Sequence, residues 1–195
     1  MKQPVLNTGL LFGSFNPIHI GHLALANFIL EYTYLDEIWF VVSPHNPFKV
    51  SNDLAGEGKR LRMVKLAIEA EPRFKACDLE FQLPRPSFTI NTLKELNQLY
   101  PTHQFTIIMG SDNLLSIDRW KDYSTIITDY RILVYPRPGY NVELLPENST
   151  IQLIKAPLLD ISSTMIREGL AQGKELRFLL PAGIYNYIQQ EQLYQ

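Results

Sequence analysis

Ten consecutive residues, Gly13-Ser14-Phe15-Asn16-Pro17-Ile18-His19-Ile20-Gly21-His22, combine two glycines with two imidazoles three positions apart. Gly13 permits a turn and a close backbone approach to a ligand. Gly21 leaves the first N–H groups of a helix open to an anion, and the helix N-terminus adds the positive end of its dipole. His19 and His22, three apart, project to the same side of that helix. Two imidazoles aimed at such an end suit a polyphosphate. A zinc site fits less well: no Glu stands between the histidines as in the metalloprotease helix, and the only cysteine, Cys77, is distant. No metal ligand is therefore assigned. A second stretch, Ile161-Ser162-Ser163-Thr164-Met165-Ile166-Arg167, follows Asp160. Ser162 is a good N-cap. The hydroxyls, the first-turn N–H groups and the Arg167 guanidinium one turn on form an anion site. Alone, Ser-Ser-Thr is a common capping sequence; beside the first stretch it reads as a second phosphate contact.

The surrounding pattern shows what positions these residues. Apolar strand-like runs are predicted over 10–12, 37–42, 74–78, 105–109, 131–135 and 151–154. Helical spacing is predicted from about 20 through 30 and over 59–69, 89–100, 162–171 and 181–190. Residues 43–57 are polar, with Pro and Gly, and read as a loop. Alternation of strand and helix predicts parallel βαβ units with right-handed crossovers, hence a doubly wound α/β fold with helices on both faces of one parallel sheet. Such sheets bind ligands beyond the carboxyl ends of their strands, where both stretches and Gly110 fall.

Length and composition set outer bounds. A chain of 195 residues, 46% hydrophobic, is read as one domain over 1–195. The formal net charge of -2 and 19% charged residues supply no basic field for nucleic acid. Polar residues break up the N-terminal segment before a signal peptide forms, and no apolar run is long enough for a bilayer. A single cysteine fits a reducing compartment. The expectation is a cytoplasmic protein with no nucleic-acid or membrane partner; oligomeric state leaves no mark in the sequence.

The first stretch resembles the G-x-F-x-P-x-H-x-G-H signature of the HIGH-type nucleotidylyltransferases at every specified position, and the second resembles their I-S-S-T-x-I-R element. Four further stretches resemble the nicotinate-nucleotide adenylyltransferases within that superfamily. They are Gly110-Ser111-Asp112-Asn113-Leu114 with Trp120; Pro86-Ser87-Phe88-Thr89 followed by Thr92-Leu93; Arg137-Pro138-Gly139-Tyr140; and Leu179-Leu180-Pro181 through Tyr187-Ile188 to Leu193-Tyr194. Six matches in order cover nearly the whole chain. One departure falls after the second strand, where Asn46-Pro47-Phe48-Lys49 places Phe48 at the family's histidine, with His45 nearby.

The resemblance implies a Rossmann-like fold and transfer of the adenylyl group of ATP to nicotinate mononucleotide, with Mg²⁺ accompanying ATP. It implies that His19, His22, Lys49 and Arg167 carry catalysis, and that Gly13, Ser14, Phe15, Gly21, Gly110, Asp112, Ile161, Ser162, Ser163 and Thr164 join His19, His22 and Arg167 around ATP. For the mononucleotide it implies Ser14, Lys49, Phe88, Thr89, Trp120 and Lys121. Trp120 would stack on the pyridine ring, Asp112 would hold a ribose hydroxyl, and the N–H groups of Thr89 and Lys121 would meet the carboxylate. Phosphopantetheine adenylyltransferase shares the two short motifs but is usually shorter and lacks the Asp112 to Trp120 and Arg137-Pro138-Gly139-Tyr140 stretches. A non-catalytic nucleotide sensor of the same fold is the other alternative.

Overall fold

In a computed structural model, residues 4–44, 54–137, 139–140, 150–157 and 159–195 are described. Six strands form one sheet: β1 (Leu6–Gly13), β2 (Glu37–Val42), β3 (Phe74–Cys77), β4 (His103–Gly110), β5 (Arg131–Tyr135) and β6 (Ile151–Leu153). Their order is β3-β2-β1-β4-β5-β6 and every pairing is parallel. The order reverses between β1 and β4, the switch point of a Rossmann-like sheet.

Among the described residues there are seven α-helices: α1 (Ile20–Tyr32), α2 (Glu57–Ile68), α3 (Thr89–Leu99), α4 (Ser111–Leu114) and α5 (Tyr123–Asp129) lie between strands, and α6 (Ser163–Ala171) and α7 (Ile184–Gln190) follow β6. Side chains alternate across the sheet with a period of two, and the core splits accordingly. Leu11, Ile38, Phe40 and Ile108 face α1, α2, α6 and α7 through Ile29, Met63, Ile166 and Ile184. Leu10, Trp39, Val41, Ile107 and Met109 face α3 and α5 through Leu93, Leu96 and Ile126. Among the described residues, no helix is long and apolar enough to cross a membrane.

The expected alternation holds, with shifts at the ends. β1 and β4 start earlier than their apolar runs, His103 and Gln104 of β4 pairing with Leu6 and Asn7 of β1, whose polar residues find partners. Asn7 N–H donates to Asp36 Oδ2 at 2.8 Å, and Thr8 Oγ1 donates to the buried Glu37 at 3.0 Å. α2 starts two residues earlier than predicted, behind Gly56, with Glu57 in its first turn. α7 starts later, because Gly183 adopts φ 81 as its N-cap and residues 181–183 form a turn instead. The predicted sequence pattern passed over α4 and α5, which are too short to show a helical period. Cys77 sits in β3, partly buried against the second core layer, and burial pushes its thiol up to about 11. It is a packing residue there rather than a thiolate.

Candidate active site

A cleft of about 620 Å³ lies beyond the C-terminal ends of β1 and β4, in the size range of small-molecule sites. The turn after β1 contributes Gly13, Ser14, Phe15 and Asn16, and the start of α1 contributes His19, Gly21 and His22. Opposite them, Ile161 and the α6 N-terminus contribute Ser162, Ser163, Thr164 and Arg167. Ser162 caps α6, accepting Met165 N–H at 3.1 Å, and Ser163 Oγ donates to Pro17 O at 2.9 Å. That last bond ties the two phosphate-like stretches together. Asp112, Asn113 and Trp120 line the side beyond β4.

The two histidine rings lie against each other with centroids 3.7 Å apart and planes tilted by 30°. His19 N–H donates to His22 Nδ1 at 3.2 Å, so Nε2 is the His22 nitrogen that carries a proton. Gly21 eases this packing: a Cβ there would lie 3.0 Å from His19 Nδ1, a tight contact. Gly13 likewise makes room for the Phe15 ring, which is 2% exposed and packs edge-on to His22. Both glycines thus accommodate side chains of the motif itself, a use beyond the ligand approach read from sequence. Burial, with the Arg137 guanidinium nearby, holds the His19 imidazole down to about 4. His19 therefore enters the site as a neutral ring, because desolvation disfavours its charged form.

That neutrality has a stability consequence. Between pH 6.5 and about 4 the unfolded chain takes up a proton that folded His19 refuses, so its contribution is present at neutral pH and lost as pH falls through that window. Thermal melts of the wild type and His19→Asn should differ most above pH 6.5 and converge toward pH 4. A constant offset would contradict the neutral ring.

Asp112 is the second residue after β4, within α4. Gly110 makes space for it, since a Cβ there would collide with Asp112 Oδ1 and lie 3.0 Å from Arg137 Cγ; Gly110 itself is not among the residues lining the cleft. Arg137, after β5, places Nε 3.7 Å from Asp112 Oδ1 and its guanidinium carbon 5.6 Å from the Tyr135 ring centroid. Its N–H donates to Ser111 Oγ at 3.0 Å. In sequence Arg137 marks only a turn; the structure puts it in the cleft wall. Its position in sequence just beyond a strand end, in the Arg137-Pro138-Gly139-Tyr140 stretch, was the available signal.

Three buried side-chain atoms have no hydrogen-bond partner among the described residues: His19 Nδ1, Asp112 Oδ1 and Arg167 Nε. All three residues line this one cleft. Buried polar atoms normally find partners, so their convergence makes this cleft the candidate site for a polar ligand.

Phe88, Thr89 and Lys121 sit beside the cleft rather than in its lining. Thr89 is the first residue of α3, so its N–H has no acceptor within the helix. Lys121 Nζ stands 5.0 Å from the Phe88 ring centroid, which draws 88–89 toward 120–121. Buried Glu80 fixes the same corner, accepting Thr92 Oγ1 at 2.8 Å and Ser87 Oγ at 3.1 Å. Lys49, Phe48 and His45 lie outside the described residues.

Behind the cleft, Arg60 is fully buried. Its Nε donates to Ala55 O at 2.9 Å, Nη1 to Ser14 O at 2.6 Å and Ser43 O at 2.8 Å, and Nη2 to Pro44 O at 2.9 Å. It binds the turn after β1 to the backbone after β2 and before α2. Nothing in its sequence setting distinguishes it from a solvated helix arginine.

A parallel sheet with a polar-lined cleft at its switch point places the chain among the doubly wound α/β proteins, which bind ligands there. The Cytidylyltransferase-like family model matches residues 10–169, and the chain belongs to that family. Among curated relatives it is 51% identical over 184 residues to the probable nicotinate-nucleotide adenylyltransferase of Bacteroides fragilis, covering 94% of this chain and 92% of the relative. It is 49% identical over 187 residues to the protein of that name from Bacteroides thetaiotaomicron, covering 95% and 92%. In fold it matches the Plasmodium falciparum nicotinic acid mononucleotide adenylyltransferase complexed with NaAD, with TM-score 0.79, 22% identity and 97% of both chains covered.

Proposed function

We propose that this chain, as one domain working in the cytoplasm, transfers the adenylyl group of ATP to nicotinate mononucleotide, giving nicotinate adenine dinucleotide and pyrophosphate. The convergence of His19 Nδ1, Asp112 Oδ1 and Arg167 Nε on one cleft carries the reading, and the curated relatives' shared name supports the substrates. A mononucleotide oxygen attacks the α-phosphorus of ATP, and the bond from that phosphorus to the bridging oxygen breaks, releasing pyrophosphate. A phosphate monoester with a second pKa of about 6 is already mostly dianionic near neutrality, so no general base is needed. Alignment and charge neutralisation carry the reaction.

In this scheme Arg167 and the N-terminus of α6 grip the triphosphate, His22 Nε2 donates to it, and neutral His19 packs beneath. Lys49 meets the reacting phosphates. Asp112 accepts a ribose hydroxyl, its Oδ1 being a buried acceptor without a donor. Among the described residues no group of three or more His, Cys, Asp or Glu is placed to hold a metal ion. The cleft's donors are imidazole, hydroxyl and guanidinium groups, which suit phosphate oxygens, so Mg²⁺ would enter on the triphosphate, held by its oxygens and water. When bound it supplies positive charge on the phosphates.

Trp120 stacks on the pyridine, and the N–H groups of Thr89 and Lys121 meet its carboxylate. N–H groups only donate, so they favour the acid over an amide, whose NH₂ would face another donor. Pyrophosphate release with ATP and each candidate acceptor checks the function. Nicotinate mononucleotide should turn over with kcat/KM at least tenfold above the amide, and phosphopantetheine should be inert. Equal values for the two mononucleotides would overturn the acid-specific reading; turnover with phosphopantetheine alone would overturn the substrate assignment.

A further inference from the structure

Tyr194 reaches the back of this site from 178 positions away: its hydroxyl donates to Asn16 Oδ1 at 2.7 Å. The path there is built by the end of α7. Leu193 N–H donates to Ile188 O at 3.0 Å and Gln192 N–H to Gln189 O at 3.3 Å, with Gln192 at φ 52. These are the two bonds of a Schellman motif. A non-glycine residue there is strained, and Tyr194 itself adopts φ 62. Such conformations persist where surrounding contacts over-determine them. Here the turn packs Leu193 and the Tyr194 ring against the core face that holds α1, α2 and α6. Burial keeps the hydroxyl protonated far above its ordinary range, although the Arg167 and Arg60 guanidiniums oppose this. It is therefore a constant donor.

Asn16 is 2% exposed. Its Oδ1 accepts a second bond, from Ala55 N–H at 3.1 Å. Its main-chain oxygen accepts Arg167 Nη1 at 3.0 Å. Asn16 thus joins Tyr194 on one side to the cleft-lining arginine on the other, while Tyr194 does not itself line the cleft.

We propose that Tyr194 is a positioning residue for the triphosphate end of the cleft: its hydroxyl orients Asn16, and the Asn16 carbonyl aims the Arg167 guanidinium. This rests on the reading of Arg167 as a triphosphate contact. Tyr194→Phe removes one hydroxyl and keeps the ring. Titration of the full-length variant should show ATP bound about fivefold more weakly, the scale of one lost neutral hydrogen bond, with nicotinate mononucleotide affinity unchanged within about twofold. A double-mutant cycle identifies the route. In an Arg167→Ala background Tyr194→Phe should cost ATP affinity nothing further; Arg167→Lys serves as the background if binding to Arg167→Ala is too weak to titrate. Unchanged ATP affinity in Tyr194→Phe, an equal loss in both backgrounds, or equal weakening of both substrates would overturn the inference. Wild-type ATP affinity in Arg167→Ala would instead overturn the reading of Arg167.

Discussion

His22→Ala is expected to lower kcat by about a hundredfold or more while leaving the fold intact, the cost seen when one transition-state donor is removed from a comparable site. The geometry favours this histidine over its neighbour for that effect. His22 Nδ1 accepts the His19 N–H at 3.2 Å, so the ring, which lines the cleft, carries its proton on Nε2. His19 is 5% exposed and neutral; its replacement should show more in stability than in turnover. The loss at His22 should appear in kcat and kcat/KM together, as for an interaction made in the transition state. Circular dichroism and melting of the variant separate this from unfolding. Turnover within about threefold of wild type would remove His22 from the mechanism.

Arg60→Met is expected to produce the largest loss of stability. The guanidinium is fully buried and donates to four main-chain carbonyls. Methionine fills similar space but strands those acceptors, each costing about 1–3 kcal/mol when buried without water. Because the Ser14, Ser43, Pro44 and Ala55 backbones can shift, the net cost should be about 3–5 kcal/mol. For a chain of this size that corresponds to roughly 6–20 °C in Tm. Arg60→Lys keeps a charge but lacks the planar fork, so it should fall between. A melting temperature within about 2 °C of wild type for Arg60→Met would show that these carbonyls are satisfied otherwise. Turnover should fall as well, since Ser14 O lies in the turn that carries the first phosphate-like stretch.

What could be read from sequence was local. Alternation of residues such as Leu10 and Leu11, or Ile107 and Ile108, assigns strand faces because successive side chains point to opposite sides. The helix opening at Ile20-Gly21-His22 and the Ser162 cap were legible because capping involves atoms within one turn. The placement of both stretches after strands, hence at one edge of the sheet, followed from parallel topology alone.

What the tertiary structure decided depends on neighbours remote along the chain. Arg137 becomes part of the cleft only when β5 lies beside β4, and its guanidinium then helps keep His19 uncharged. Arg60, Glu80 and Tyr194 look like ordinary polar residues until burial removes water and their partners are fixed. Asn16 meets Arg167 across 151 positions and Tyr194 across 178. Hydrogen-bond partnership and desolvation are sums over atoms that folding brings within a few ångströms, whereas sequence spacing constrains only the atoms a few residues apart. The candidate chemistry of the site was therefore legible in two short stretches of sequence, whereas the burial that disfavours a charged His19 and the hydrogen bonds that join Asn16 to Arg167 and Tyr194 arise only from the packed fold.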